Sequence, residues 1–152
     1  MKLMIINGPN LNMLGIREKN IYGVVLYDKL VELIYSWCKD KNVECEIYQS
    51  NHEGDLVAKI QEAYFCNYEG IIINTGAYTH TSIAILDALK ATDLPTIEVH
   101  ISDINNREEF RKKSYIRDYC FMSIIGQGIE GYHIAINEMI KKLRRSKYDY
   151  YN

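Results

Sequence analysis

The chain alternates short apolar runs with amphipathic stretches, and that alternation limits its fold more than any other feature. Strand-like runs are LMII (3 to 6), VECEIY (43 to 48), GIIIN (70 to 74), TIEVHI (96 to 101) and CFMSII (120 to 125). Between them, apolar residues recur at helical spacing: Leu26, Leu30, Leu33, Ile34 and Trp37, then Ile83, Leu86 and Leu89, then Ile129, His133, Ile136, Ile140 and Leu143. A weaker helical pattern spans 53 to 66, with Leu56, Ile60 and Tyr64 on one side. Strand followed by helix throughout favours right-handed crossovers, and so a parallel sheet of five strands covered on both faces.

No Pro/Gly/Ser-rich linker and no internal repeat divides the pattern, so residues 1 to 152 read as one domain. At 47% hydrophobic and 25% charged residues, the chain can bury a real core. KKLRRSKYDYYN reads as a solvated helix end followed, from about residue 145, by a mobile tail. A net charge of -2 and a pI near 6.1 give no global reason to expect nucleic acid or an anionic membrane as partner. MKLMIINGPN fits neither a signal peptide nor a membrane span, which leads to a cytoplasmic reading. Cys38, Cys45, Cys66 and Cys120 form no C-x-x-C pair and read as reduced core thiols.

In an open parallel sheet, ligands bind beyond the carboxyl ends of the strands, where strand order reverses. Three strand ends carry useful polar groups: the opening loop NGPNLNMLGIREKNIYG (7 to 23), NTGAYTHTS (74 to 82) and HISD (100 to 103). The second strand leads only into QSNHEG. The site is therefore expected where those three loops meet.

Glu98 and His100 are two apart in a strand and so share a face. As a hydrogen-bonded pair they avoid the cost of separate burial, and the carboxylate would fix the imidazole tautomer for proton transfer. A purely structural carboxylate-histidine pair is the alternative. In NTGAYTHTS, Gly76 suits a turn and Thr79 or Thr81 could cap the next helix, while Asn74 and His80 are placed to meet a hydroxyl or carboxylate. Backbone donors near Ile101 and Ser102 could hold an anion. In the opening loop Asn10 offers both a donor and an acceptor, and Arg17 could draw the pKa of Tyr22 down from about 10, although on spacing alone Tyr22 more simply packs. Arg107 and Arg111 are four apart in REEFRKKS, as on one helical face, which is either a solvated charged face or a pair reaching a polyhydroxylated or carboxylated ligand. His52 reads as a surface residue and His133 as helix packing.

No G-x-G-x-x-G, G-x-x-x-x-G-K-[ST] or H-E-x-x-H occurs, which leaves cofactor-free acid/base chemistry as the expectation. A flavodoxin-like binding module for phosphate or flavin would need a hydroxyl-rich first loop, and a receiver-type signalling domain an acidic cluster at the strand ends. Neither feature is in the sequence.

INGPNLNMLGIRE with Tyr22-Gly23, N-x-GAYTHTS, IEVHIS, REEFR-x-x-S and GQGIEGY follow one another in an order that closely resembles the type II 3-dehydroquinate dehydratases, over about residues 3 to 143. The resemblance implies a flavodoxin-like α/β fold with sheet order 2-1-3-4-5, a dodecamer built from trimers, and no metal or other cofactor. It implies conversion of 3-dehydroquinate to 3-dehydroshikimate and water, in biosynthesis of aromatic compounds or quinate breakdown. Tyr22 as phenolate would take the proton, Arg17 would lower its pKa, Asn10 would hold a water that stabilises the enolate, and His100, oriented by Glu98, would protonate the departing hydroxyl. The opening loop would close over substrate as a lid. Asn74, Ile101 and Ser102 would bind the substrate carboxylate, His80 and Arg111 the ring hydroxyls, Arg107 would lie near the closed lid, and Asp87 would reach a neighbouring subunit's site. The chain departs from the family pattern at Thr75 and Lys19, where the family often has proline, and the second change bears on lid closure.

Overall fold

The structure, a computed structural model, describes residues 1–16 and 25–149. Five strands, β1 (Lys2–Asn7), β2 (Glu44–Gln49), β3 (Gly70–Asn74), β4 (Thr96–His100) and β5 (Met122–Ile125), form one parallel sheet in the order β2-β1-β3-β4-β5. The parallel sheet covered on both faces is what the alternating pattern predicts, its order and flavodoxin-like form are what the resemblance implies, and strand order reverses between β1 and β3.

Among the described residues, four α-helices cover the sheet: α1 (Tyr27–Asp40), α2 (Glu53–Phe65), α3 (Ile83–Thr92) and α4 (Glu130–Asp149). Period-two alternation sends Leu3 and Ile5 of β1 to the core under α1 and α4, and Met4 and Ile6 to the core under α2 and α3. Both faces are apolar because both are covered, so the strands read as unbroken hydrophobic runs.

The order strand, helix, strand, helix fails at one crossover. Between β4 and β5 the chain has no α-helix, only single 3-10 turns at Ile104–Asn106 and Glu109–Arg111. Arg107 itself is extended (φ −105°, ψ −173°), so it and Arg111 do not share a helical face. Asp103 caps the first of these turns by accepting from the Asn105 amide at 3.0 Å, and Asn106 Nδ2 donates to the same carboxylate at 2.6 Å. Such local side-chain bonds compete with helix formation.

Helix faces were displaced where apolar residues are abundant. In α3 the buried stripe is Ile85, Ala88, Leu89 and Thr92, and Ile83 is 54% exposed. With most of IAILDAL apolar, periodicity could not choose the face. In α2 Ala63 takes the buried position expected of Tyr64, which is exposed, and Leu26 precedes α1 on the surface. The cap of α3 is Ser82, whose hydroxyl accepts from the Ile85 amide at 3.0 Å, and not Thr79 or Thr81. Helix α4 continues to Asp149, past the point at about 145 where a tail was expected, through residues with no proline or glycine to stop it. His133 packs as expected, stacked on Trp37 at 4.8 Å, and His52 is on the surface. Cys38 and Cys120 are buried and unpaired, but Cys66 is exposed beyond the end of α2, outside the core expected for all four thiols. Among the described residues no helix is long and apolar enough to cross a membrane.

Candidate functional site

Beyond the carboxyl ends of β1, β3 and β4 lies a cavity, and each expected loop lines it. Pro9, Asn10, Leu11 and Leu14 come from the opening loop, Asn74, Gly76, Ala77 and His80 from the second, and His100, Ile101 and Ser102 from the third. Ile104, Arg107 and Arg111 close the remaining side from the irregular β4–β5 crossover.

Steric fit forces the first two loops together. A Cβ on Gly8 would lie 2.5 Å from the Thr75 carbonyl carbon and oxygen, and Gly76, at φ +57°, would place one 2.9 Å from the Pro9 carbonyl oxygen. Only residues without a Cβ permit this backbone approach. The Gly8 amide donates to the Asn74 carbonyl at 2.7 Å, continuing the β1–β3 pairing into the loops. Thr75 is buried with its hydroxyl 2.5 Å from that of Thr79.

His100 lines the cavity, and the fully buried Glu98 lies behind it. Both side chains alternate onto the face opposite Ile97 and Val99. His100 Nε2 is 2.7 Å from Glu98 Oε1, which also accepts from Ser114 Oγ at 2.6 Å. Glu98 Oε2 accepts from Ser123 Oγ at 2.7 Å, and Arg117 Nε lies 3.5 Å from it. Burial pushes the carboxyl pKa up, but the bond and charge of His100 and the two serine hydroxyls outweigh it and hold the group at about 2. Glu98 is thus a buried carboxylate accepting three hydrogen bonds, and an ionised carboxylate can only accept. His100 therefore donates from Nε2, and Nδ1 is the ring nitrogen left for a ligand.

His80 is set differently. Its Nδ1 is 2.6 Å from the Lys113 carbonyl, which can only accept, so Nδ1 carries the proton and Nε2 is free to accept in the neutral ring. Burial lowers its pKa, the Lys113 carbonyl opposes this, and the nearby charges of His100 and Arg111 add to the lowering. The two arginines give the rim positive charge, partly offset by Glu108, whose Oε2 is 3.1 Å from Arg111 Nε and 3.6 Å from Arg107 Nε. A rim of two guanidiniums over an imidazole suits a carboxylated, polyhydroxylated ligand.

Asn74 is fixed from below. Its Nδ2 donates to the Tyr132 hydroxyl at 3.2 Å, and that hydroxyl donates to Asn7 Oδ1 at 2.6 Å. Asn7 and Asn74 are paired across β1 and β3, and the Asn7 amide reaches Tyr27 at 3.3 Å. Nothing local in the sequence singles out Tyr132, Ser114, Ser123 or Arg117 for these contacts, although GQGIEGY and REEFR-x-x-S are among the stretches that carry the resemblance.

Asp87 is exposed on α3 and does not line this cavity. Arg17 and Tyr22 lie outside the described residues, as does Lys19. Among the described residues no three His, Cys, Asp or Glu side chains gather as a metal-ligand set.

The sequence matches the family Dehydroquinase class II over residues 1–140. It is 57% identical over 143 residues to the 3-dehydroquinate dehydratase of Fusobacterium nucleatum, covering 93% of this chain and 97% of that one. It is 51% identical over 144 residues to the enzyme of the same name from Clostridium perfringens, covering 95% and 100%. The crystal structure of type II dehydroquinase from Butyrivibrio crossotus superposes with a TM-score of 0.90 at 57% identity, covering 91% of this chain and 97% of that one. Sequence and sheet order agree, and the chain belongs to the class II dehydroquinase family.

Proposed function

We propose that this chain is a 3-dehydroquinate dehydratase that eliminates water from 3-dehydroquinate to give 3-dehydroshikimate, by anti elimination through an enolate and without a cofactor. The observation that carries the reading is His100, lining a cavity that Arg107 and Arg111 also line and bonded from behind to the buried, ionised Glu98. Relatives that share half or more of its residues bear the name of this activity.

A β-hydroxy ketone needs a base at the carbon next to the carbonyl, a donor to the developing enolate and an acid at the leaving oxygen. In this mechanism Tyr22 is the base, held as phenolate by Arg17. It takes the proton, and the electron pair moves to the ketone oxygen as the enolate forms. Asn10, on the cavity wall, holds a water that donates to that oxygen. The enolate then collapses to the conjugated enone as the C–O bond breaks, and a proton on His100 Nδ1 passes to the departing hydroxyl, which leaves as water. Glu98 accepts from Nε2 throughout, keeping the ring oriented.

Asn74 and the amides of Ile101 and Ser102 bind the substrate carboxylate, His80 and Arg111 the ring hydroxyls, and Arg107 lies beside the closed opening loop. In a dodecamer of trimers, Asp87 reaches the site of a neighbouring subunit. The enzyme works in the cytoplasm, on the shikimate route to aromatic compounds or in quinate breakdown.

The test is to incubate purified protein with 3-dehydroquinate and identify the product by mass and proton NMR, with Tyr22→Phe in parallel. Loss of one water by the unaltered protein and none by the variant is the expected result. An unchanged substrate with the unaltered protein would reject the activity.

A further inference from the structure

The end of β2 contributes nothing to the cavity lining, yet its side chains grip the loop that does. Asn10 has a left-handed backbone, φ 67° and ψ 1°, a state in which asparagine is tolerated at some cost. Its amide donates to Asn51 Oδ1 at 3.0 Å. The same oxygen accepts from Gln49 Nε2 at 3.1 Å, and Gln49 Nε2 also approaches the Gly8 carbonyl at 3.2 Å and Asn12 Oδ1 at 3.4 Å. Asn51 meets the second loop as well: its carbonyl accepts from the Tyr78 hydroxyl at 3.1 Å, and Tyr78 belongs to the turn that ends in His80.

Two donors converge on one oxygen of Asn51, so the acceptor, not the amide nitrogen, is the group this position requires. Without it the Asn10 amide would turn to water, and the left-handed state would lose the partner that selects it. From these contacts we infer that Asn51, braced by Gln49, is a positioning residue that holds Asn10 on the cavity wall and ties the first loop to the second. The inference rests on the reading that Asn10 holds the water facing the enolate. Geometry of this kind matters to rate because a group displaced by about 1 Å can cost roughly 100-fold.

The experiment compares Asn51→Leu, which removes the acceptor, with Asn51→Asp, which keeps an oxygen in the same place, and with Gln49→Ala. It measures kcat and KM for 3-dehydroquinate and the hydrogen-exchange rate of the Asn10 amide by NMR. Asn51→Leu is expected to lower kcat by roughly tenfold or more, with a smaller change in KM, and to speed exchange at Asn10. Asn51→Asp restores most of kcat and the slow exchange. A folded Asn51→Leu with unchanged kcat and exchange overturns the inference, as do equal losses in the Leu and Asp variants. Should Asn51→Leu not fold by circular dichroism, Gln49→Ala carries the comparison, and unchanged kcat and exchange there overturn it. Absent turnover by the unaltered protein rejects the dehydration reading, and with it Asn10's role, while Asn10 exchange still decides whether Asn51 clamps the loop.

Discussion

Glu98 and His100 sit two residues apart on β4, joined by a 2.7 Å hydrogen bond between Oε1 and Nε2. The pair is covered by Ser114 and Ser123 on one side and opens to the cavity through the imidazole on the other. In the proposed mechanism that asymmetry separates an orienting carboxylate from a proton-transferring ring. It predicts that Glu98→Gln, which can offer an NH2 where an acceptor is needed, lowers kcat by about 100-fold or more while KM changes little. Steady-state kinetics on the folded variant check this.

The same carboxylate links folding to acid. Its pKa is depressed from an ordinary 4.5 to about 2 in the fold. Its stabilising contribution is therefore complete above about 4.5, where both states are ionised. It is lost as pH falls toward 2, because the unfolded chain takes up the proton first. Urea midpoints should fall through this window in the unaltered protein and fall less steeply in Glu98→Gln. Parallel curves for the two proteins would contradict the assignment.

Tyr132 is wholly buried, and its hydroxyl joins Asn7 to Asn74. Tyr132→Phe leaves both amides short of a partner, so a loss of about 1–3 kcal/mol in stability is expected. Because Asn74 is assigned to the substrate carboxylate, KM should rise more than kcat falls. Chemical denaturation and substrate titration measure the two effects separately.

Gly8→Ala should be worse tolerated than its size suggests. The new methyl carbon would stand 2.5 Å from backbone atoms of Thr75, which cannot swing aside as a side chain can. Prying the two loops apart costs at least about 1–3 kcal/mol and should weaken substrate binding. A melting temperature equal to that of the unaltered protein would show that the loops are not held this closely.

Much of this site could be read from the chain because its main signals are local. Period-two spacing put Glu98 and His100 on one face, and the parallel-sheet rule placed the cavity beyond β1, β3 and β4. What escaped depends on contacts distant in sequence. QSNHEG carries no local sign of a role because nothing in it reveals that Asn51 meets Asn10, 41 residues away. Tyr132 lay on an evident helix, but its bond to Asn7 spans 125 residues. The β4–β5 crossover was misread as helical because the four-residue spacing of Arg107 and Arg111 outweighed the helix-breaking bonds of Asp103. Ser82 was passed over as a cap since Thr79 and Thr81 stand just before it.

If this cavity dehydrates 3-dehydroquinate with His100 as the acid that Glu98 orients, enone formation depends on His100. The most direct measurement follows the ultraviolet absorbance of the conjugated enone product as 3-dehydroquinate is added to the unaltered protein and to His100→Ala. Steady enone formation by the first and a loss of at least about 100-fold in the second are expected. Full-rate enone formation by folded His100→Ala, or none by the unaltered protein, would contradict this mechanism.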